Sequence, residues 1–129
     1  MRRDMDLYRQ IVLKLEALDL EFGSVVTIDV SDGDLEIEGY TPDQIAYHLD
    51  QIIRSGMMDD AGASSFDGPG FRCLTSTGHD FADSVRDDKL WALTKEGALK
   101  AGGYTLQLLV DLAKGFTKKQ IEKHTGIQI

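Results

Sequence analysis

EGYTPDQIAYHLDQIIRSGMM, residues 38–58, is the run on which the fold turns. Thr41 suits a helix N-cap, and Pro42 falls at the first helical position, where its missing N–H costs nothing. Gln44, three residues after Thr41, completes a capping box. Ile45, Leu49 and Ile52 recur at helical spacing, with Ala46 and Ile53 widening the stripe. Gly56 follows as a stop signal. The spacing predicts a helix over 42–55 whose apolar stripe needs a partner.

Upstream, DMDLYRQIVLKLEAL (residues 4–18) offers that partner. Leu7, Ile11, Leu15 and Leu18 lie at steps of three and four, with Tyr8 and Val12 beside them, and Asp4 suits the N-cap. Leu7, Ile11 and Leu15 are expected to pack on Ile45, Leu49 and Ile52. Between the helices, VVTIDV (25–30) is rich in β-branched residues and DLEIE (34–38) alternates with period two. These read as a short hairpin or two edge strands, with Leu35 and Ile37 on one face.

Downstream, Met57 and Met58 open a short strand. DDAGASSFDGPG (59–70) is a turn-rich excursion. Phe71, Cys73 and Thr75 alternate on a return strand, which places Cys73 inward. Residues 57–59 are expected to pair antiparallel with 71–75. Residues 76–100 are helical in pattern, with a break near Asp87. Phe81, Ala82 and Val85 face inward, and Leu90, Trp91, Leu93 and Thr94 continue the stripe. Gly102-Gly103 punctuates the chain. Thr105–Lys114 reads as a helix burying Leu106, Leu109, Val110 and Ala113. Gly115 ends it, and Thr117 with Gln120 forms a second capping box for a short last helix.

The resulting fold class is α+β: a winged-helix-like core with an altered helix-turn-helix, a short β-sheet and additional C-terminal helices. One domain is expected over 1–129, with its core at about 4–88 and a helical extension over 89–129.

Leu74, Thr75 and Gly78, after the Gly-rich turn, resemble the step by which many winged regulators pass from the wing into the next helix. Such cores carry another helix between the first helix and the recognition helix. Here VVTIDV and DLEIE occupy that space, so the usual docking geometry does not carry over. Across nearly the whole chain, RRDMDLYRQIVLKLE, EGYTPDQIAYHL and TSTGHDFADSVRDDKLW resemble the DUF2513 family of uncharacterised bacterial and phage proteins. The resemblance implies a bacterial or prophage origin and a winged-helix-like core; it assigns no biochemical activity. The chain departs from the family at Met58, where Leu or Ile is usual, and at Ser76, where an aromatic is usual.

Charge bears on partners. The formal net charge is −8. Residues 1–60 hold fourteen Asp/Glu against five Lys/Arg, and residues 61–129 hold eight against nine. An acidic field repels phosphate, so nucleic-acid binding is disfavoured, and a protein partner or self-association is favoured. No run approaches about eighteen apolar residues, so no membrane span is expected. The N-terminal stretch lacks the apolar segment of a signal peptide, and there is one cysteine; a reducing cytoplasmic setting is expected.

No residue set carries catalytic, cofactor-binding or metal-binding spacing, so a non-enzymatic interaction module is expected. Gln44, Tyr47, His48 and Gln51, near the outer face of the 42–55 helix, could read base edges or meet a protein. Asp43 and Asp50 on the same helix favour the protein. Arg72 stands beside the turn-rich tip. His79 and Asp80 could meet a metal or a partner, or simply open a helix. His48, His79 and His124 lack the spacing of a helical metal pair. Cys73, with no base spaced to activate it, reads as a small hydrophobe. Lys114, Lys118, Lys119 and Lys123 form the one local basic face. It could meet DNA phosphate or an acidic protein surface, including residues 1–60 of a second copy. The alternative function is a winged-helix DNA-binding regulator.

Overall fold

The computed structural model describes residues 1–102 and 105–126. The fold is α+β, with helices and a small amount of sheet. The chain forms two compact units, residues 1–82 and 83–129.

The first unit is built on α1 (Met5–Glu16) and α2 (Pro42–Arg54), which pack together. Asp4 caps α1, its Oδ1 accepting from the N–H groups of Asp6 and Leu7. The capping box on α2 forms in full: Thr41 Oγ1 accepts from Gln44 N–H, and Gln44 Oε1 accepts from Thr41 N–H. Gly56, at φ 73°, follows the C-cap Ser55. Leu7, Ile11, Leu15, Ile45, Leu49 and Ile52 are all buried. Leu18 lies past the end of α1 and is exposed, because the helix stops at Glu16.

Between these helices the backbone departs from the expected hairpin. β1 is only Val26–Thr27, and Val30–Asp32 forms a 3-10 turn. Residues 34–38 form no strand. Local aspartate hydrogen bonds compete with a ladder here. Asp29 Oδ1 accepts from Asp32 N–H, and Asp34 Oδ2 accepts from Asp29 N–H at 2.7 Å. Leu35 and Ile37 are nevertheless both buried, so the alternation secures burial without strand pairing.

After α2 come β2 (Met58–Asp59), β3 (Ser64–Ser65), β4 (Gly68–Phe71) and β5 (Cys73–Leu74). β2 pairs antiparallel with β5, Met58 opposite Leu74, as the sequence predicts. β3 and β4 form a tight hairpin, Ser65 opposite Gly68, with Phe66 and Asp67 at its tip. β1 pairs antiparallel with β4 and not with residues 34–38. The return strand therefore changes partner at Arg72. The alternation resets there: Phe71 and Leu74 are buried, while Cys73 is exposed, not inward.

Thr75 ties the next helix to this sheet. Its Oγ1 donates to Gly56 O at 2.6 Å and accepts from Gly78 N–H, capping α3 (Ser76–Val85). Phe81 and Ala82 are buried, and the Phe81 ring meets Tyr8 edge-on at 5.4 Å. Tyr8 is fully buried, and its hydroxyl donates to Met57 Sδ at 3.3 Å. Burial pushes the Tyr8 phenol above its ordinary value of 10.0, against the opposing pull of Ser55 and Arg3. The folded protein then holds this proton at a pH where the unfolded chain has lost it. Tyr8 stabilises below about pH 10, and that contribution is lost as pH rises further. Tyr8→Phe should therefore flatten the alkaline fall in stability, read as urea midpoints across about pH 8–11.

The second unit contains α4 (Asp88–Lys100) and α5 (Leu106–Thr125), packed on each other. The expected break near Asp87 is present, and Asp87 caps α4 by accepting from Leu90 N–H. Trp91, Thr94 and Ala98 are buried; Leu93 lies off that stripe and is exposed. The Gly103 half of the Gly102-Gly103 pair lies outside the described residues. Thr105 caps α5, and Leu109 and Ala113 are buried, while Leu106 and Val110 are only half-buried.

α5 does not stop at Gly115. A glycine costs about 1 kcal/mol in a helix interior. Leu112 and Phe116, which face Gly97 of α4, hold the helix on both sides of it. Thr117 consequently does not cap a new helix; its Oγ1 donates back to Ala113 O at 2.9 Å.

Candidate functional site

α2, the 3-10 turn and the β3–β4 hairpin together wall two concavities of the first unit. The hairpin wall is fixed closely. Ile28 N–H donates to Pro69 O at 2.9 Å. A Cβ at Gly68 would lie 2.0 Å from Ile28 O, so only glycine allows this approach. Asp59 Oδ2 pairs with Arg72 Nη1 at 3.3 Å at the hairpin's base. At the tip, Phe66 is fully exposed.

Two concavities flank the 3-10 turn, and both are lined by Val30 and Ser31. One, about 390 Å³, lies between α2 and the hairpin. Buried Ile28 and Leu49 lie at its base, Ala46, Ile53, Val30 and Pro69 add apolar lining, and Asp50, Asp60 and Asp67 also line it. The other, about 710 Å³, is walled by residues 30–40 and the start of α2, and carries Asp32, Glu36 and Glu38. No Lys, Arg or His lines either one. Arg54 lies beside the first and is paired to Asp50 at 2.8 Å.

The residues singled out in the sequence fall elsewhere. His48 is 1% exposed and is not on the outer face of α2. Its Nε2 accepts from Asp4 N–H at 2.7 Å, so its proton sits on Nδ1, which donates to Gln44 O at 2.7 Å. Tyr40 adds a hydroxyl donated to Asp4 Oδ2 at 3.0 Å. His48 thus ties α2 to the first turn of α1. Gln44 is half-buried and committed to the capping box. Tyr47 is half-buried, its ring edge-on to His48 at 5.5 Å. Gln51 is half-buried.

The residues of α2 left in solvent are Pro42, Asp43, Ala46, Asp50 and Arg54. Ala46 and Ile53, expected to widen the buried stripe, instead edge the groove, Ala46 exposed and Ile53 half-buried. His79 lies on the surface with Nδ1 3.5 Å from Glu16 Oε2.

In the second unit, Lys114, Lys118, Lys119 and Lys123 are all exposed on α5. Lys114 and Lys118 line a cleft of about 330 Å³ with Asp83, Ser84, Thr117 and Ile121. Among the described residues, no group of three or more His, Cys, Asp or Glu side chains is placed to hold a metal ion. No helix among them is long and apolar enough to cross a membrane.

Residues 2–104 match the family described as "Hypothetical protein (DUF2513)". The chain belongs to the DUF2513 family. This DUF2513 chain is also similar to an uncharacterized protein of Haemophilus influenzae, 31% identical over 93 residues, covering 70% of this chain and 73% of that one. No solved structure matches it. The family match spans both concavities and the hairpin, and stops before the α5 lysines.

Proposed function

We propose that this protein is a non-enzymatic, protein-binding module with a winged-helix-like core over its first unit, in which the β3–β4 hairpin serves as the wing. One observation carries the reading: the wing tip presents Phe66 fully to solvent, and no Lys or Arg occurs between Asp59 and Phe71. A wing that grips duplex DNA needs cations for phosphate. A projecting aromatic beside carboxylates suits a protein surface, where aromatic anchors supply much of the binding energy. The exposed face of α2 adds Asp43 and Asp50, and Arg72 is engaged by Asp59.

Affinity capture from the cells that encode the protein, with nucleic acid retained, tests this. A protein partner should be recovered, should survive nuclease treatment, and should be lost with Phe66→Ser. The alternative reading, a DNA-binding regulator, is favoured by the four exposed lysines of α5. Fluorescence anisotropy with a labelled random duplex at about 0.15 M salt separates the two. Binding is expected to be weaker than about 1 μM, because four lysines offer fewer phosphate contacts than salt-sensitive binders commonly use. Submicromolar affinity with a steep salt slope would establish the regulator instead.

A further inference from the structure

We propose that the two concavities flanking the 3-10 turn form one docking track for a lysine- or arginine-rich amphipathic segment of a partner protein. This rests on the protein-binding reading above and names the partner's chemistry. Six carboxylates lie along the track: Asp32, Glu36 and Glu38 on one side of the turn, Asp50, Asp60 and Asp67 on the other. No basic side chain lines it.

The distribution of these groups selects the occupant. Among the described residues, no three acidic or histidine side chains converge on a point where a metal ion could sit. Carboxylates strung along a groove match a row of charges better than one ion. The side between α2 and the hairpin is also apolar at its base, through Ile28 and Leu49, with Ile53 and Pro69 beside them. A chain of cations alone would leave that base wet. A segment that interleaves aliphatic side chains with cations covers both. Nucleic acid carries the wrong charge. A second copy could offer the track the lysines of α5, but its approach is opposed at long range by the net charge of −8 on each copy. The groove is preformed: Gly68 is pressed on Ile28 O, and the hairpin is held by Gly70 N–H donating to Ala63 O at 2.9 Å. Less ordering is then required of the protein on binding.

The test uses the full chain and a fluorescein-labelled synthetic peptide of about sixteen residues, with Leu on one helical face and Lys on the others. Anisotropy at about 0.15 M salt should show saturable binding. The same peptide with Glu for Lys should not bind, and the version with Ser for Leu should bind about tenfold more weakly. Combined Asp50→Asn, Asp60→Asn and Asp67→Asn keeps oxygen acceptors in place, including the one that Asp60 offers to Gly62 N–H. It should weaken the Lys–Leu peptide about tenfold. Neutralising Asp19, Glu21 and Asp111, which are exposed and line neither concavity, should leave affinity unchanged.

Equal loss in both variants would reduce the effect to diffuse charge and overturn the proposal, as would absence of binding by the Lys–Leu peptide. Concentration-dependent dimerisation in sedimentation velocity that the groove variant abolishes would assign the track to a second copy and overturn it as well. If the peptide fails while the Phe66-dependent partner is still captured, the protein-binding reading stands alone. Tight duplex binding would remove both.

Discussion

Gly78→Ala is expected to destabilise the first unit by about 3 kcal/mol or more. Gly78 sits in the first turn of α3, where glycine is ordinarily a poor choice. A Cβ there would lie 2.0 Å from Met57 O and 3.2 Å from Leu74 Cβ. The first obstacle is backbone, and Met57 O is already fixed as the acceptor for Thr75 N–H at 3.0 Å. Relief requires α3 to move off the β2–β5 pair, which would break the two hydrogen bonds of Thr75 Oγ1 to Gly56 and Gly78. Hydrogen exchange of the α2 and α3 amides should show the loss. Gly115→Ala is the matched control. That glycine is also helical, but a Cβ there meets nothing within 4 Å. It should stabilise by about 0.5–1 kcal/mol. A neutral Gly78→Ala would mean that α3 and the sheet do not approach so closely.

Leu49→Ala should cost about 2–5 kcal/mol in urea unfolding. Leu49 is 2% exposed and stands at the centre of the α2 stripe, between Ile45 and Ile52. Truncation removes three carbons and leaves a void between helices whose approach is set by other contacts. His48 and Asp4 hold one end at 2.7 Å, so α2 cannot settle freely onto α1 to close the gap. A loss below about 1 kcal/mol would show that α2 is rotated and Leu49 does not face α1.

α2 was legible because its determinants are local. A capping box, a proline at the first position and a glycine just past the end lie within sixteen residues, and each acts on its own backbone. The antiparallel pairing of residues near 57–59 with 71–75 was legible for a related reason: a turn-rich run separates two apolar strands.

The failures have separate causes. DLEIE has the period of a strand, yet aspartate side chains bind the adjacent backbone and no ladder forms. Cys73 follows Phe71 by two residues, but the strand changes partner at Arg72, so the period does not carry across. Gly115 is a helix breaker by propensity alone, and tertiary packing outweighs about 1 kcal/mol. His48 could have been placed correctly. Positions 45, 48, 49 and 52 form one helical face, and a histidine there is best read as a buried hydrogen-bonding group. The groove could not have been read from any one stretch, because its walls come from residues near 28–31, 46–53 and 60–69.

The exposure of Cys73 changes how association must be measured. It is the single thiol of the chain and it is exposed. Two molecules that meet there in air can be joined by a sulfur–sulfur bond, with no complementary surface between them. Such a species would sediment as a dimer and pass for self-recognition. It would vanish on adding a phosphine reductant, and it could not form at all in Cys73→Ser. The same position gives a benefit: a maleimide dye placed there would sit beside Arg72, at the base of the hairpin that carries Phe66, and would report a partner's arrival without an added cysteine.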